Sequence, residues 1–157
     1  MPHIHEKFDF TSTVYIVYKG KVLLRKHEKY HIWIGVGGHV ELDEEPNQAA
    51  IREAKEEVGL DIKLIHPHKE PPLKDYSDIT NSRQLIPPAF MNLHKINAVH
   101  SHIDLVFAAT SDSDNVVPEQ KSDEWKWLSP DEVEKSQEIS DRVKNYAKTA
   151  INLASRK

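Results

Sequence analysis

The chain has 157 residues, with 21 lysines and arginines against 25 aspartates and glutamates, a net charge of −4 and 38% apolar residues. That fits one soluble domain and excludes a coiled coil, a collagen-like repeat, a disordered tail and a chain-wide basic footprint for nucleic acid. Cysteine is absent, which excludes disulfides, thiolate zinc sites and cysteine nucleophiles, and neither a bilayer-spanning run of roughly 18 apolar residues nor a targeting segment in MPHIHEKFDF is found, so cytoplasm is the expected location.

Thr13–Lys19 and Lys21–Lys26 read as two short strands around a tight turn at Lys19-Gly20. Ile32–Val36 is a third apolar run, ended by Gly37-Gly38. Pro46 suits a first helical position. Ile51, Ala54 and Val58, with Ala50 beside them, make one apolar stripe. Gly59 is a good left-handed C-cap followed by Leu60, whereas Glu45 is a poor N-cap. Asp61–Ile65 alternates as a strand.

Between His66 and Ser101 the periodicity fails, and five of the nine prolines fall there. The segment is read as a long Pro-rich insertion with an edge strand near Gln84–Ile86, bordering the substrate pocket. His102–Ala109 returns to strand, with Ile103, Leu105 and Phe107 on one face and His102, Asp104 and Val106 on the other. Glu124–Leu128 is a further strand. Ser129-Pro-Asp-Glu132 is a capping box. A last helix, about Ser140 to Ala154, buries Val143, Tyr146, Ala147, Ala150 and Ile151. Strands mixed with a few helices suggest one mixed-sheet α/β or α+β domain over residues 1–157.

The chemistry concentrates in the first helix. At about 100° per residue, Glu53, Glu56 and Glu57 fall on one face, away from the apolar stripe. Three carboxylates there repel one another unless a cation joins them. Arg52 and Lys55 supply part of that charge. A divalent cation with oxygen ligands, above all Mg²⁺, supplies more. The plainer alternative is a solvated acidic face with i,i+4 pairs such as Arg52–Glu56. Histidines are numerous, at ten. His3-Ile-His5, His66-Pro-His68 and His100-Ser-His102 each set two imidazoles at strand spacing. With no third ligand in register and no cysteine, a structural zinc site is not expected from them.

The segment Gly38 to Leu60 resembles the signature of the Nudix hydrolase superfamily, G-x5-E-x7-R-E-U-x-E-E-x-G-U with U apolar. Gly38, Glu44, Arg52, Glu53, Ala54, Glu56, Glu57, Gly59 and Leu60 occupy its fixed positions, with Ala54 small for its slot. Trp33 before the Gly37-Gly38 pair, Leu23-Leu24-Arg25, and Glu124 with Trp127 before a short acidic helix extend the likeness to about two-thirds of the chain. The resemblance implies an α/β/α sandwich with a mixed central sheet. It also implies hydrolysis of a nucleoside diphosphate linked to another moiety, with Mg²⁺ or Mn²⁺.

Roles implied by the resemblance follow position by position. Glu53, Glu56 and Glu57 would hold the metal, with a carbonyl of Gly37 or Gly38. Arg52 would hold the carboxylates in place and Glu44 would stabilise the loop–helix junction. Glu53 is the first choice of general base. Glu119 is the candidate acid from a later loop, with Glu124 and Asp123 behind it. Read from the residues themselves, Arg25 and Lys26 are candidates for phosphate or plain rim charges, Trp33 for the core ahead of stacking, and Asp104, by alternation with His102, for the substrate side of the sheet or a polar outer face. Tyr76 stands near where diadenosine polyphosphate hydrolases often carry a tyrosine, and the proline that ADP-ribose hydrolases share is replaced there by Asp75 and Tyr76. The expected partner is a small nucleotide-type substrate rather than membrane or nucleic acid, with a homodimer left open. Two alternatives stand beside this: a catalytically silent Nudix-fold binding or sensor module, and an RNA-end pyrophosphohydrolase, which would want a basic groove.

Overall fold

The structure is a computed structural model that describes residues 5–68 and 82–156. Its frame is a pair of long parallel strands, β1 (Phe8–Tyr18) and β7 (Ser101–Ser111), in continuous register from Phe8↔Ser101 to Val17↔Thr110. Val, Ile, Phe and Tyr dominate β1, and Leu105, Val106, Phe107, Ala108 and Ala109 form an unbroken apolar run in β7, as suits strands covered on each face. β2 (Lys21–Lys26) returns antiparallel to β1. The turn between them has positive φ at both Lys19 (45°) and Gly20 (78°), the handedness that matches strand twist. β3 (Trp33–Ile34) and β8 (Trp125–Leu128) flank β2, and β4 (Val36–His39) lies against the first half of β1. β5 (Ile62–Leu64) and β6 (Phe90–Lys95) both pair antiparallel with β7. The result, among the described residues, is a mixed eight-stranded sheet.

Strand alternation sends neighbouring side chains to opposite faces. Val14, Ile16, Leu23, Phe107 and Ala109 pack on one side with Ala50, Ala54 and Val58 of α1 (Pro46–Val58). Tyr15, Val17, Leu24, Val106 and Ala108 pack on the other with Val143, Tyr146, Ala147, Ala150 and Ile151 of α3 (Asp141–Ala154). The short α2 (Pro130–Lys135) adds Val133. The fold is therefore an α/β/α sandwich. Ile16 lies between β1 and α1 with no exposed surface. Ile16→Ala should cost about 2–5 kcal/mol, read as a lower denaturant midpoint with an unchanged m value.

Several expectations are corrected. Ile51 is 44% exposed, and the buried face of α1 is Ala49, Ala50, Ala54 and Val58. Three alanines let the helix sit close to the sheet, which rolls Ile51 outward. Glu45 does cap α1: its side chain accepts from Asn47 N–H, while Gln48 accepts from Glu45 N–H to complete a capping box. Gly37 and Gly38 do not end a strand but lie within β4. There is no strand at Gln84–Ile86. The insertion instead holds β6, which sequence periodicity missed. Ile86 is fastened to α1, donating its N–H to Asn47 Oδ1 (2.8 Å) and accepting at its carbonyl from Asn47 Nδ2 (2.9 Å). Finally, the β1–β7 register sets Asp9 opposite His102. That supplies the third ligand-type side chain which the histidine pairs lacked.

Candidate active site

α1 is fixed at both ends. The Glu45–Gln48 box and Pro46 start it, and Gly59 at φ 70° ends it, its N–H returning to the Ala54 and Lys55 carbonyls. The helix thereby sets Glu53, Glu56 and Glu57 beside β4. Arg52 sits among them with all five N–H groups engaged. Nε and Nη2 grip Glu44 at 3.0 and 2.7 Å, and Nη2 also donates to the His39 carbonyl. Nη1 donates to Glu53 (2.9 Å) and Glu56 (3.0 Å). A guanidinium so committed has no donor left for a substrate phosphate. Arg52 bonding holds the Glu44 carboxyl below its ordinary range.

Glu57 lies deepest. Its Oε2 accepts from Gly37 N–H at 3.1 Å and its Oε1 from Arg25 Nη1 at 3.1 Å. The other arm of Arg25 reaches Asp123 Oδ1 at 3.4 Å, whose side chain is 2% exposed. Arg25 thus braces a carboxylate of the site rather than facing solvent. Burial pushes the Glu57 carboxyl up to about 7, against the pull of Arg25 and Gly37 N–H, with Glu53 and Glu119 adding repulsion. Burial also raises Glu53, opposed by Arg52. Gly38 has no side chain where Glu53 needs space: a Cβ there would overlap the Glu53 carboxylate.

The remaining candidates are dispersed. Glu119 is exposed, on a loop whose backbone N–H reaches the Glu57 carbonyl at 3.1 Å. Lys26 pairs with the exposed Glu124 at 3.0 Å. Trp33 is half-buried under Lys126, whose Nζ is 4.0 Å from the ring centroid. Tyr76 lies outside the described residues. Asp104 lines a cleft of about 600 Å³, together with Gly37, Gly38, Tyr30, Asn92, Arg142 and Tyr146, a volume typical of small-ligand sites. Its Oδ1 accepts from Thr11 (2.9 Å) and Thr13 (2.8 Å), and its Oδ2 from Asn92 at 3.4 Å. Burial raises its carboxyl. Sequence reading missed Thr11, Thr13 and Asn92 here. The signal was the alternation Thr11-x-Thr13, but using it needs the register that sets Thr11 opposite Asp104.

The NUDIX domain family model matches residues 10–148. This chain belongs to the Nudix family. A NUDIX family hydrolase from Clostridium perfringens is 37% identical, across 94% of this chain and 98% of that one, with a TM-score of 0.84. The MutT NUDIX hydrolase of Burkholderia pseudomallei shares the fold at 18% identity, TM-score 0.61, covering 96% of this chain and 100% of its own. So does the MutT protein of Methanosarcina mazei Go1, at 17% identity and TM-score 0.64, covering 98% and 100%. A comparison with curated proteins gives no match. The Nudix chain is a pyrophosphohydrolase of the class that acts on nucleoside diphosphates linked to other groups. No helix among its described residues is long and apolar enough to cross a membrane.

Proposed function

We propose that the chain hydrolyses the pyrophosphate bond of a small nucleotide derivative with Mg²⁺ or Mn²⁺, held by Glu53, Glu56, Glu57 and a carbonyl of Gly37 or Gly38. The observation that carries this is a shared wall. Gly37 and Gly38 line the 600 Å³ cleft and also touch Glu57 and Glu53. The donor set fits a hard cation: carboxylate oxygens, with Glu53 and Glu57 both raised by burial against the pull of Arg52 and Arg25. When bound, such a cation neutralises phosphate charge and lowers the pKa of a bound water.

The chain's own residues do the rest. Arg52 and Arg25 fix the carboxylates, and Glu53, held on one oxygen by Arg52, takes the proton from the attacking water. Glu119 is the second acid on the loop side. The non-phosphate part of the substrate occupies the cleft between Tyr30 and Tyr146, with Asp104 accepting from its polar edge. Asn92, His94 and Ile96 of the insertion border the same cleft, so this segment tunes the choice of substrate.

A panel of nucleoside triphosphates, oxidised nucleotides, nucleotide sugars, ADP-ribose and dinucleoside polyphosphates, each with and without Mg²⁺, tests the reading. Metal-dependent cleavage of one class supports it, whereas tight binding without cleavage would favour the silent module. With the preferred substrate, Asp104→Asn should raise KM roughly tenfold and leave kcat within about threefold, the pattern of a ground-state contact. A drop in kcat at unchanged KM would remove Asp104 from the substrate-binding role.

A further inference from the structure

We propose a second metal site, for Zn²⁺, formed by Asp9, His100 and His102, with His39 standing beside Asp9. Ligand atoms of Asp9, His100 and His102 all lie within 4.8 Å of one another, a grouping no other set of acids and histidines reaches among the described residues. Asp9 Oδ2 stands 3.3 Å from His100 Nε2 and 3.5 Å from His39 Nε2. These separations match the edge of a tetrahedron built on zinc–ligand distances of about 2.0–2.1 Å, which is roughly 3.4 Å. The rings of His39 and His102 meet edge to face at 4.7 Å, and those of His100 and His102 at 5.3 Å, so the imidazoles converge rather than stack.

The hydrogen bonds around the cluster orient it for a cation. His100 Nδ1 is 2.9 Å from the Glu6 carbonyl, which can only accept, so Nδ1 carries the proton. Nε2 of the same ring then faces the Asp9 carboxylate at 3.3 Å, so nitrogen and oxygen are turned toward one point. The other Asp9 oxygen accepts from the His5 backbone N–H at 2.9 Å, which fixes the carboxylate. A ring N–H on a main-chain carbonyl and a hydrogen-bonded carboxylate are the usual outer supports of zinc ligands. Asp9 is 2% and His100 5% exposed, so the charge is not dispersed into water.

The site differs from the glutamate centre in donors and in place. It sits where β1 and β7 begin their parallel pairing, and it would pin those two strand ends together. Zn²⁺ is assigned over Mg²⁺ because imidazole nitrogen suits the softer ion.

The test uses untagged protein dialysed against metal-free buffer, with metal measured by mass spectrometry. The expected result is about one equivalent of zinc, retained in Glu57→Gln and lost in His102→Ala. Saturating zinc at about 1,000 times its dissociation constant should raise the Tm of the stripped protein by about 10 °C. Co²⁺ substitution should give the intense visible bands of four-coordinate nitrogen–oxygen ligation, a readout on the parent that stands even if His102→Ala does not fold. Zinc lost in Glu57→Gln but kept in His102→Ala would move the ion to the glutamate centre and overturn the proposal. So would a parent that retains no zinc, shows no Co²⁺ bands and gains no Tm from zinc, leaving only a protonated histidine–aspartate cluster.

Discussion

Glu57→Gln should lower turnover by roughly 10²–10⁴-fold while making the protein more stable above pH 7 without divalent cation. The two effects have one cause. Glu57 is buried, and its carboxyl is raised to about 7 even with Arg25 and Gly37 N–H opposing the shift. A group whose folded pKa lies above its unfolded value holds its proton more tightly when folded. Its contribution to stability is complete below the unfolded value and is lost as pH rises through about 7. Past that point the bare carboxylate costs up to about 3 kcal/mol.

Glutamine retains an oxygen for Gly37 N–H or Arg25 and never ionises, so the gap in Tm between variant and parent should open between pH 5 and pH 8. Mg²⁺ should then raise the Tm of the parent more than that of the variant. A gap that stays constant with pH, together with equal responses to Mg²⁺ and similar turnover, would sink the assignment of this helix as the catalytic centre.

The two glycines before the helix should separate stability from activity. At Gly37 a Cβ would overlap the Ser12 carbonyl oxygen and stand 2.8 Å from Thr13 Cα. Both obstacles are backbone of β1, so relief means moving a strand that is itself locked to β7. Gly37→Ala should therefore cost about 3 kcal/mol. At Gly38 the three atoms nearest the Cβ are all at the carboxylate end of Glu53, a side-chain tip that can swing aside at the cost of its bond to Arg52. Gly38→Ala should cost less than about 1 kcal/mol but displace the Glu53 carboxylate and, if that group holds the proposed cation, lower kcat/KM roughly 10²-fold. Paired denaturation curves and rates across an Mg²⁺ titration check this. Equal destabilisation by the two variants would contradict the geometry.

The sequence made the glutamate-bearing helix readable because its demands are local: carboxylates one turn apart, a helix-ending glycine, an apolar stripe. The stripe of α3 was legible for the same reason, and Val143, Tyr146, Ala147, Ala150 and Ile151 are all buried. What failed depended on partners distant in sequence. Ile51 turned outward because the small alanines set how closely α1 approaches the sheet. β6 escaped notice because Met91 and Leu93 face solvent, at 61% and 63% exposure, which blurs the alternation on which a strand is recognised. Nothing local links Asp9 to His100 and His102. Only strand register brings them together, and register is set by the whole sheet. Arg25 resembled a phosphate ligand until β2 pointed it at Glu57 and Asp123.

The clamp between Asn47 and Ile86 bears on how such an enzyme diversifies. Asn47 reads only the main chain of residue 86, one N–H and one carbonyl, so any residue but proline satisfies it there. Side chains of the same segment share the task, since Ile86 packs on the core beneath that helix and Arg83 reaches Glu45 at 3.7 Å. A substitution at 83 or 86 would remove one of these contacts and leave the main-chain pair in place, so the attachment loosens in steps rather than at once. An amide that is blind to sequence is the part of it that such changes cannot erase.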